Sequence, residues 1–139
     1  MIKTKKPAFL SAAAFTLGLI VATAPAFAHH SFVAEFDTKK PITLTGTVTK
    51  LEWTNPHAHF YVDVTDESGN VTNWDFELAS PNVLLMQGWR RDSLKVGDQV
   101  TVEGFLAKDG AKMANARRVT LPDGRKVFAG STADGEPTK

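Results

Sequence analysis

The sequence predicts an all-β domain, a small closed barrel of five to six short strands with one brief helix. Three observations predict it. Residues 57–65 (HAHFYVDVT) alternate between polar and apolar side chains, the period of a half-buried strand. Turn-forming clusters recur between apolar runs, at 66–70 (DESGN), 97–98, 108–110 and 122–124. A helical signal appears once, where Ser80 can cap and Pro81 takes the first helical position.

The elements follow in order. Residues 42–53 alternate Ile42, Leu44, Gly46 and Val48, then change phase to Leu51 and Trp53, which predicts a bulge near Thr49–Lys50. Thr54, Asn55 and Pro56 end this strand, because proline has no N–H for a ladder. The second strand, 57–65, sends Ala58, Phe60, Val62 and Val64 inward and His57, His59, Tyr61 and Asp63 outward. After the turn, 71–78 return with Thr72, Trp74, Phe76 and Leu78 on the apolar side. Val83, Leu84, Leu85 and Met86 supply one or two helical turns, with Met86 expected to pack inward, and Gly88 ends them. A fourth strand lies within 94–106, and a fifth strand carries Val119 and Leu121. Met113 falls in the loop after Gly110, where it could serve Cu(I), although a lone methionine is usually a gap filler. A last short strand ends at Phe128. Trp53, Trp74 and Trp89 belong in the core or at its edge. Three strands, a helix and two strands with a tail is the order of the Greek-key barrel called the OB-fold. A β-sandwich is the alternative, and it usually has more strands.

Composition bounds the chemistry. The 139 residues suffice for one domain. Lys+Arg 16 against Asp+Glu 15 is too balanced for the basic footprint of a nucleic-acid binder, so no nucleic-acid partner is expected. With Cys at 0, disulfides, thiolate metal sites and cysteine nucleophiles are excluded. The Ser-nucleophile elbow, the phosphate-binding P-loop and the dinucleotide fingerprint are all missing, so no enzyme is expected.

The first segment reads as an export leader. Lys3, Lys5 and Lys6 precede an uncharged apolar stretch over 8–24, and Ala26-Phe27-Ala28 offers the small-x-small pattern of signal peptidase. Cleavage after Ala28 leaves 13 basic and 15 acidic side chains, a charge of −2, and no second apolar run of spanning length. The expected organisation is a leader at 1–28, an N-terminal arm at 29–41, the barrel at 42–129 and a disordered polar tail at 130–139. The expected compartment is the periplasm, without membrane attachment after cleavage.

The histidines are the one concentration of chemistry. They come as two pairs, His29-His30 and His57-Ala58-His59. Cleavage would make His29 the first residue, offering its α-amine and ring nitrogen to one metal, and a second imidazole completes a three-nitrogen set that suits Cu(II). His57 and His59, two apart on a strand, face the same way with Cα atoms roughly 6.5–7 Å apart, close enough to share a metal. If the 66–70 turn pairs residue 64 with 72, His59 stands opposite Glu77 and Tyr61 opposite Asp75. Glu77 is then a third ligand or an acceptor that fixes a histidine tautomer. Tyr61 and Asp75 lie on the same polar face, which is where OB barrels bind ligands. An ordinary solvated His–Glu cross-strand pair is the plainer reading of that face.

The segments His29-His30-Ser31-Phe32, Trp53-Thr54-Asn55-Pro56-His57 and Ser80-Pro81-Asn82, with the L-K-x-G-D turn and the N-A-R strand, resemble a family of small exported bacterial proteins. That family is known as a domain of unknown function, and the resemblance spans nearly all of 29–130. It implies export and no particular activity. It also implies that the position of His57 is more typically histidine than that of His59, where relatives often carry an aromatic. His29, His30 and His57 are therefore the better ligand set.

The sequence thus predicts a non-catalytic periplasmic protein that binds copper or possibly zinc through His29, His30, His57, His59 and Glu77. The alternative is a metal-free OB module that binds a protein partner or an oligosaccharide through Tyr61 and its neighbours. A copper oxidoreductase built on the N-terminal chelate is the weaker third reading. The exported protein is expected to begin at His29. Intact-mass measurement on periplasmic material tests this, and a product retaining any of residues 1–28 refutes it.

Overall fold

The computed structural model describes residues 32–130. The expected leader at 1–28, the pair His29 and His30, and residues 131–139 of the expected tail lie outside the described residues. A single helical turn, α1 (Phe32–Glu35), leads into β1 (Phe36–Glu52), a strand of 17 residues. There follow β2 (His59–Thr65), β3 (Val71–Glu77), α2 (Pro81–Met86), β4 (Gln99–Ala107), β5 (Met113–Thr120) and β6 (Lys126–Phe128).

The length of β1 lets it serve two partners. Its residues 41–47 pair antiparallel with β4, and 47–52 pair antiparallel with β2. Between Val48 and Lys50 the register shifts by one residue, at the bulge expected from the phase change. The sheet order β3-β2-β1-β4-β5-β6 closes where β3 meets β5 in parallel, with Asp75 opposite Met113 and Glu77 opposite Asn115. That connectivity, with a helix between β3 and β4, is the five-stranded OB barrel with one added strand. No described helix is long and apolar enough to cross a membrane.

The inward positions build one core. Val48, Phe60, Val62, Phe76, Val102 and Val119 are fully buried, and the Phe60 and Phe76 rings stack at 5.3 Å. Trp89 is buried and donates its indole N–H to the Phe128 carbonyl at 2.7 Å, while Trp53 and Trp74 pack at the core edge. Burying such side chains contributes roughly 1.5–3 kcal/mol each.

Helix α2 has both expected ends. The Ser80 hydroxyl accepts from the Val83 N–H, and Pro81 opens the helix. At the other end Gly88 takes φ +92°, and the N–H groups of Gly88 and Trp89 return to the Leu85 and Leu84 carbonyls. This double closure satisfies carbonyls that the helix leaves open.

Four expectations are corrected. Strand β1 starts at Phe36, not 42, so half of the expected arm is strand. Phe36 is buried and pairs with Ala107, but the register shifts before the next pair, Pro41 with Phe105, and residues 38–41 are exposed and show no alternation. Met86 is 86% exposed, because a six-residue helix turns only one face inward and Leu84 with Pro81 occupies it. Met113 opens β5 and is not a loop residue. Gly130, assigned to the tail, is buried against Arg117.

Where β4 crosses β5, an added Cβ on Gly104 would lie 2.0 Å from the Asn115 carbonyl oxygen. Gly104→Ala is expected to cost about 3 kcal/mol, since backbone must move. Gly88→Ala, with open space around it, is expected to cost only the left-handed penalty of about 1–2 kcal/mol. Urea unfolding of both variants checks the order. A Gly104→Ala protein as stable as Gly88→Ala would show that the strands do not approach this closely.

Candidate metal-binding face

The outer face of β2 and β3 presents a polar side chain at every second position except Val71, the first residue of β3. Glu77 stands opposite His59 and Asp75 opposite Tyr61, the register implied by the 66–70 turn. The expected straight pairing of His59 with Glu77 is not what the side chains do. His59 Nδ1 lies 2.8 Å from Asp75 Oδ1, and His57 Nδ1 lies 2.8 Å from Glu77 Oε1. Both histidines therefore reach the carboxylate diagonally placed on β3, offset the same way. The twist of the sheet brings one diagonal closer than the other, and long side chains bridge it.

An ionised carboxylate can only accept, so each Nδ1 carries the proton and donates it. Each Nε2 is left with its lone pair, and the two lone pairs belong to rings on one face. The carboxylates hold the rings from beneath. The Glu77 side chain is 10% exposed under a His57 ring that is 41% exposed. His57 itself precedes β2, after a cis peptide at Asn55–Pro56. It is held there because Ala58 already exchanges backbone hydrogen bonds with Leu78 and Ala79.

The electrostatics follow from burial and pairing. The hydrogen bond to Asp75 raises the His59 pKa above its ordinary value, against the opposing effect of burial. Burial pushes the Glu77 carboxyl up, and the nearby Glu35 charge adds to this, while His57 and His59 pull it back. The Tyr61 phenol is pushed up to about 12, by burial first and then by its 3.0 Å hydrogen bond to Glu52. Glu52 also forms an ion pair with Lys50, whose ammonium sits 5.0 Å from the centre of the Tyr61 ring. Hydrogen bonds from Lys50 and Tyr61 hold the Glu52 carboxyl below its ordinary value. A ligand stacking on Tyr61 would meet Lys50 on one ring face.

The structure brings His57, His59, Asp75, Glu77 and Tyr61 together on one face. Lys50, Glu52 and Glu35 are additions that the sequence reading did not single out. For Lys50 and Glu52 the signal was present, since the change of phase to Leu51 and Trp53 turns both outward. Glu35 had no local signal. It borders a 540 Å³ cleft beside Glu77, together with Phe36, Lys108 and Met113. Segment α1 is fixed at the edge of this cleft. The Phe32 ring stacks on Phe36 at 5.6 Å and meets Phe105 edge-on, with the Arg117 guanidinium 5.7 Å from its centre. Among the described residues, no three His, Asp or Glu side chains are grouped to hold a metal ion. His29 and His30 lie outside the described residues.

Fold and face together define a small OB-type barrel with two histidine–carboxylate pairs on its β2–β3 surface. The chain belongs to the family of unknown function DUF6152, whose model matches residues 16–116. No curated protein matches it. Among solved structures it is similar to the mitochondrial single-stranded DNA-binding protein of S. cerevisiae, at 12% identity and a TM-score of 0.46. That match covers 62% of this chain and 94% of that one. It is also similar to the N-terminal domain of the PriB protein from Thermoanaerobacter tencongensis, at 21% identity and a TM-score of 0.41. Here 60% of this chain and 96% of that one are covered.

The His59–Asp75 pair has a defined pH signature. A raised folded-state pKa means that the pair's contribution to stability is complete below the unfolded value, about 6.5. It is lost as pH rises through the higher folded value. Asp75→Asn is therefore expected to destabilise most below about pH 6.5 and progressively less above it. NMR titration should show His59 titrating above the ordinary histidine range in the native protein and lower in the variant. Equal His59 titration in both proteins would remove Asp75 as the cause.

Proposed function

We propose that this protein is a non-catalytic metal-binding protein of the periplasm, taking copper or zinc and acting by sequestration or delivery. The observation that carries this reading is the pair of Nδ1–H···carboxylate bonds, His57 to Glu77 and His59 to Asp75, each 2.8 Å. Metal-ligating histidines commonly donate their second nitrogen to a carboxylate, which fixes the tautomer and raises the basicity of the ligating nitrogen. Here that leaves Nε2 of both rings as donors on a common face. Glu77 and Asp75 serve as orienting acceptors, with Glu77 beside the cleft that α1 borders.

Two imidazoles make an incomplete set for Cu(II) or Zn(II), which take about four ligands. The N-terminal segment can supply the rest. His30 lies two residue steps before the anchored Phe32 and His29 three, spans of at most about 7 and 11 Å. Cleavage after Ala28 would add the His29 amine. The leader sequence supports the periplasmic assignment, and an oxidising compartment poses no problem for a chain without cysteine.

Calorimetric titration of Cu(II) and Zn(II) into processed protein with an authentic His29 terminus tests the proposal. One-to-one binding is expected, weakened when Met precedes His29. Glu77→Gln is expected to lower affinity by about tenfold, the size of an orienting-residue effect. Binding no tighter than that of an unstructured histidine peptide overturns the reading and favours the partner- or oligosaccharide-binding alternative.

A further inference from the structure

We infer that the molecule carries a second binding site, a pocket for small phosphate monoesters between the segment after α2 and the β5–β6 turn. The inference does not depend on the metal-binding reading. The pocket has a volume of 380 Å³, and Arg90, Lys95, Arg125 and Ser93 line it. That volume lies in the range of small-molecule sites, roughly 300–1,000 Å³. The pocket shares no residue with the histidine–carboxylate pairs or with the cleft beside Glu77.

Both walls are held by hydrogen bonds of their own. After Gly88 ends α2, Trp89 turns inward and is buried, while Arg90 stays exposed. The Arg90 N–H donates to the Ser93 hydroxyl at 2.8 Å, and the Ser93 N–H returns to the Arg90 carbonyl at 3.0 Å. The Lys95 N–H donates to the Asp98 carboxylate at 2.8 Å, and the backbone of Gly97 and Asp98 bonds Val48 on β1. On the opposite wall the Leu121 N–H donates to the Arg125 carbonyl at 2.9 Å, and the Gly124 N–H donates to the Leu121 carbonyl at 2.9 Å. Walls already fixed in this way lose little conformational entropy when a ligand enters.

The free hydrogen-bonding capacity of the pocket is mostly donor. Three carboxylates line it, but Asp98 already accepts from the Lys95 N–H, and Asp123 from the N–H and Nε–H of Arg125. Among the described residues, the side chains of Arg90 and Lys95 have no hydrogen bond or ion pair, and the Arg125 guanidinium gives only its Nε–H to Asp123. Arginine carries five N–H donors and lysine three. Two guanidinium forks and an ammonium suit an oxyanion with several equivalent acceptors. A phosphate monoester, with three such oxygens and a charge of about −1.5 to −2, meets more of these donors than a carboxylate does. Asp92, the remaining carboxylate, is left to accept from a hydroxyl on the body of the ester.

Calorimetric titration of glycerol 3-phosphate into the protein at low salt tests the inference, with NMR mapping of the same titration. Submillimolar binding is expected, with shifts on residues 88–98 and 121–125. Arg90→Gln and Lys95→Gln are each expected to weaken it by about tenfold, the scale of one lost charge-assisted hydrogen bond. Arg91→Gln removes the same charge from the neighbouring residue, whose guanidinium lies over the Trp53 ring and does not line the pocket, and is expected to stay within about twofold. All three side chains are exposed, so the variants are expected to keep the fold. Vesicles of phosphatidylcholine with and without phosphatidic acid separate two sources of the ester. Vesicle binding that Arg90→Gln abolishes identifies a lipid headgroup, and glycerol 3-phosphate binding without it identifies a soluble ester. The inference is overturned if glycerol 3-phosphate does not bind at about 10 mM, whatever the vesicles do, or if Arg91→Gln weakens binding as much as Arg90→Gln. Shifts confined to the β2–β3 face also overturn it.

Discussion

The one-residue bulge between Val48 and Lys50 is the constraint on which both the barrel and its polar face depend. Before it, β1 turns even-numbered residues inward, ending at the fully buried Val48 opposite Val62. After it, Leu51 faces inward opposite Phe60, and Lys50 and Glu52 face outward opposite Tyr61 and His59. A strand without the extra residue would carry Lys50 and Glu52 into the core, because a slip of one flips every side chain. Two unpaired charges there would cost several kcal/mol. The bulge therefore reconciles two demands on one strand, to pair with β4 at one end and with β2 at the other.

Once β1 is bent in this way, the electrostatics of β2 and β3 become a local matter. Asp75, Glu77 and Glu52 bring three acidic groups onto the face, and Glu35 adds a fourth at its border. Such a concentration is tolerated because most of the acids have a committed donor. His59 serves Asp75, His57 serves Glu77, and Tyr61 with Lys50 serves Glu52. The diagonal offset of the two histidines matters here. Straight pairing would give Glu77 to His59 and leave both Asp75 and His57 without these partners. With the offset, each ring has its own carboxylate, and the more buried carboxylate lies under the more exposed ring.

The elements that were legible in the sequence are those whose signal is local. Alternation placed Phe60 and Phe76 inward, the turn at 66–70 set the register of His59 against Glu77, and Ser80, Pro81 and Gly88 marked both ends of α2. What was not legible depends on twist or on distant pairing. Register alone assigns His59 to Glu77, and only the three-dimensional twist transfers it to Asp75. The first residues of β1 carry the polar run Asp37-Thr38-Lys39-Lys40, and nothing local reveals that Phe36 pairs with Ala107, some seventy residues away. The same holds for Met113. Its place beside Asp75 follows from a parallel contact between strands separated by the whole of α2 and β4.

The least local feature is also the one that links the N-terminal segment to the polar face. Phe32 and Phe36 dock with Phe105 on β4, and the Arg117 guanidinium lies between the rings of Phe32 and Phe128. The backbone reinforces this, since the Lys108 N–H donates to the Glu35 carbonyl at 2.8 Å. These contacts are aromatic and main-chain in kind, and they involve none of the histidines. Anchoring and ligation are therefore separable in this molecule. The helical turn at residues 32–35 is therefore fixed by contacts that owe nothing to the two histidine–carboxylate pairs, and packing at the edge of the cleft and polarity on its face are set by different residues.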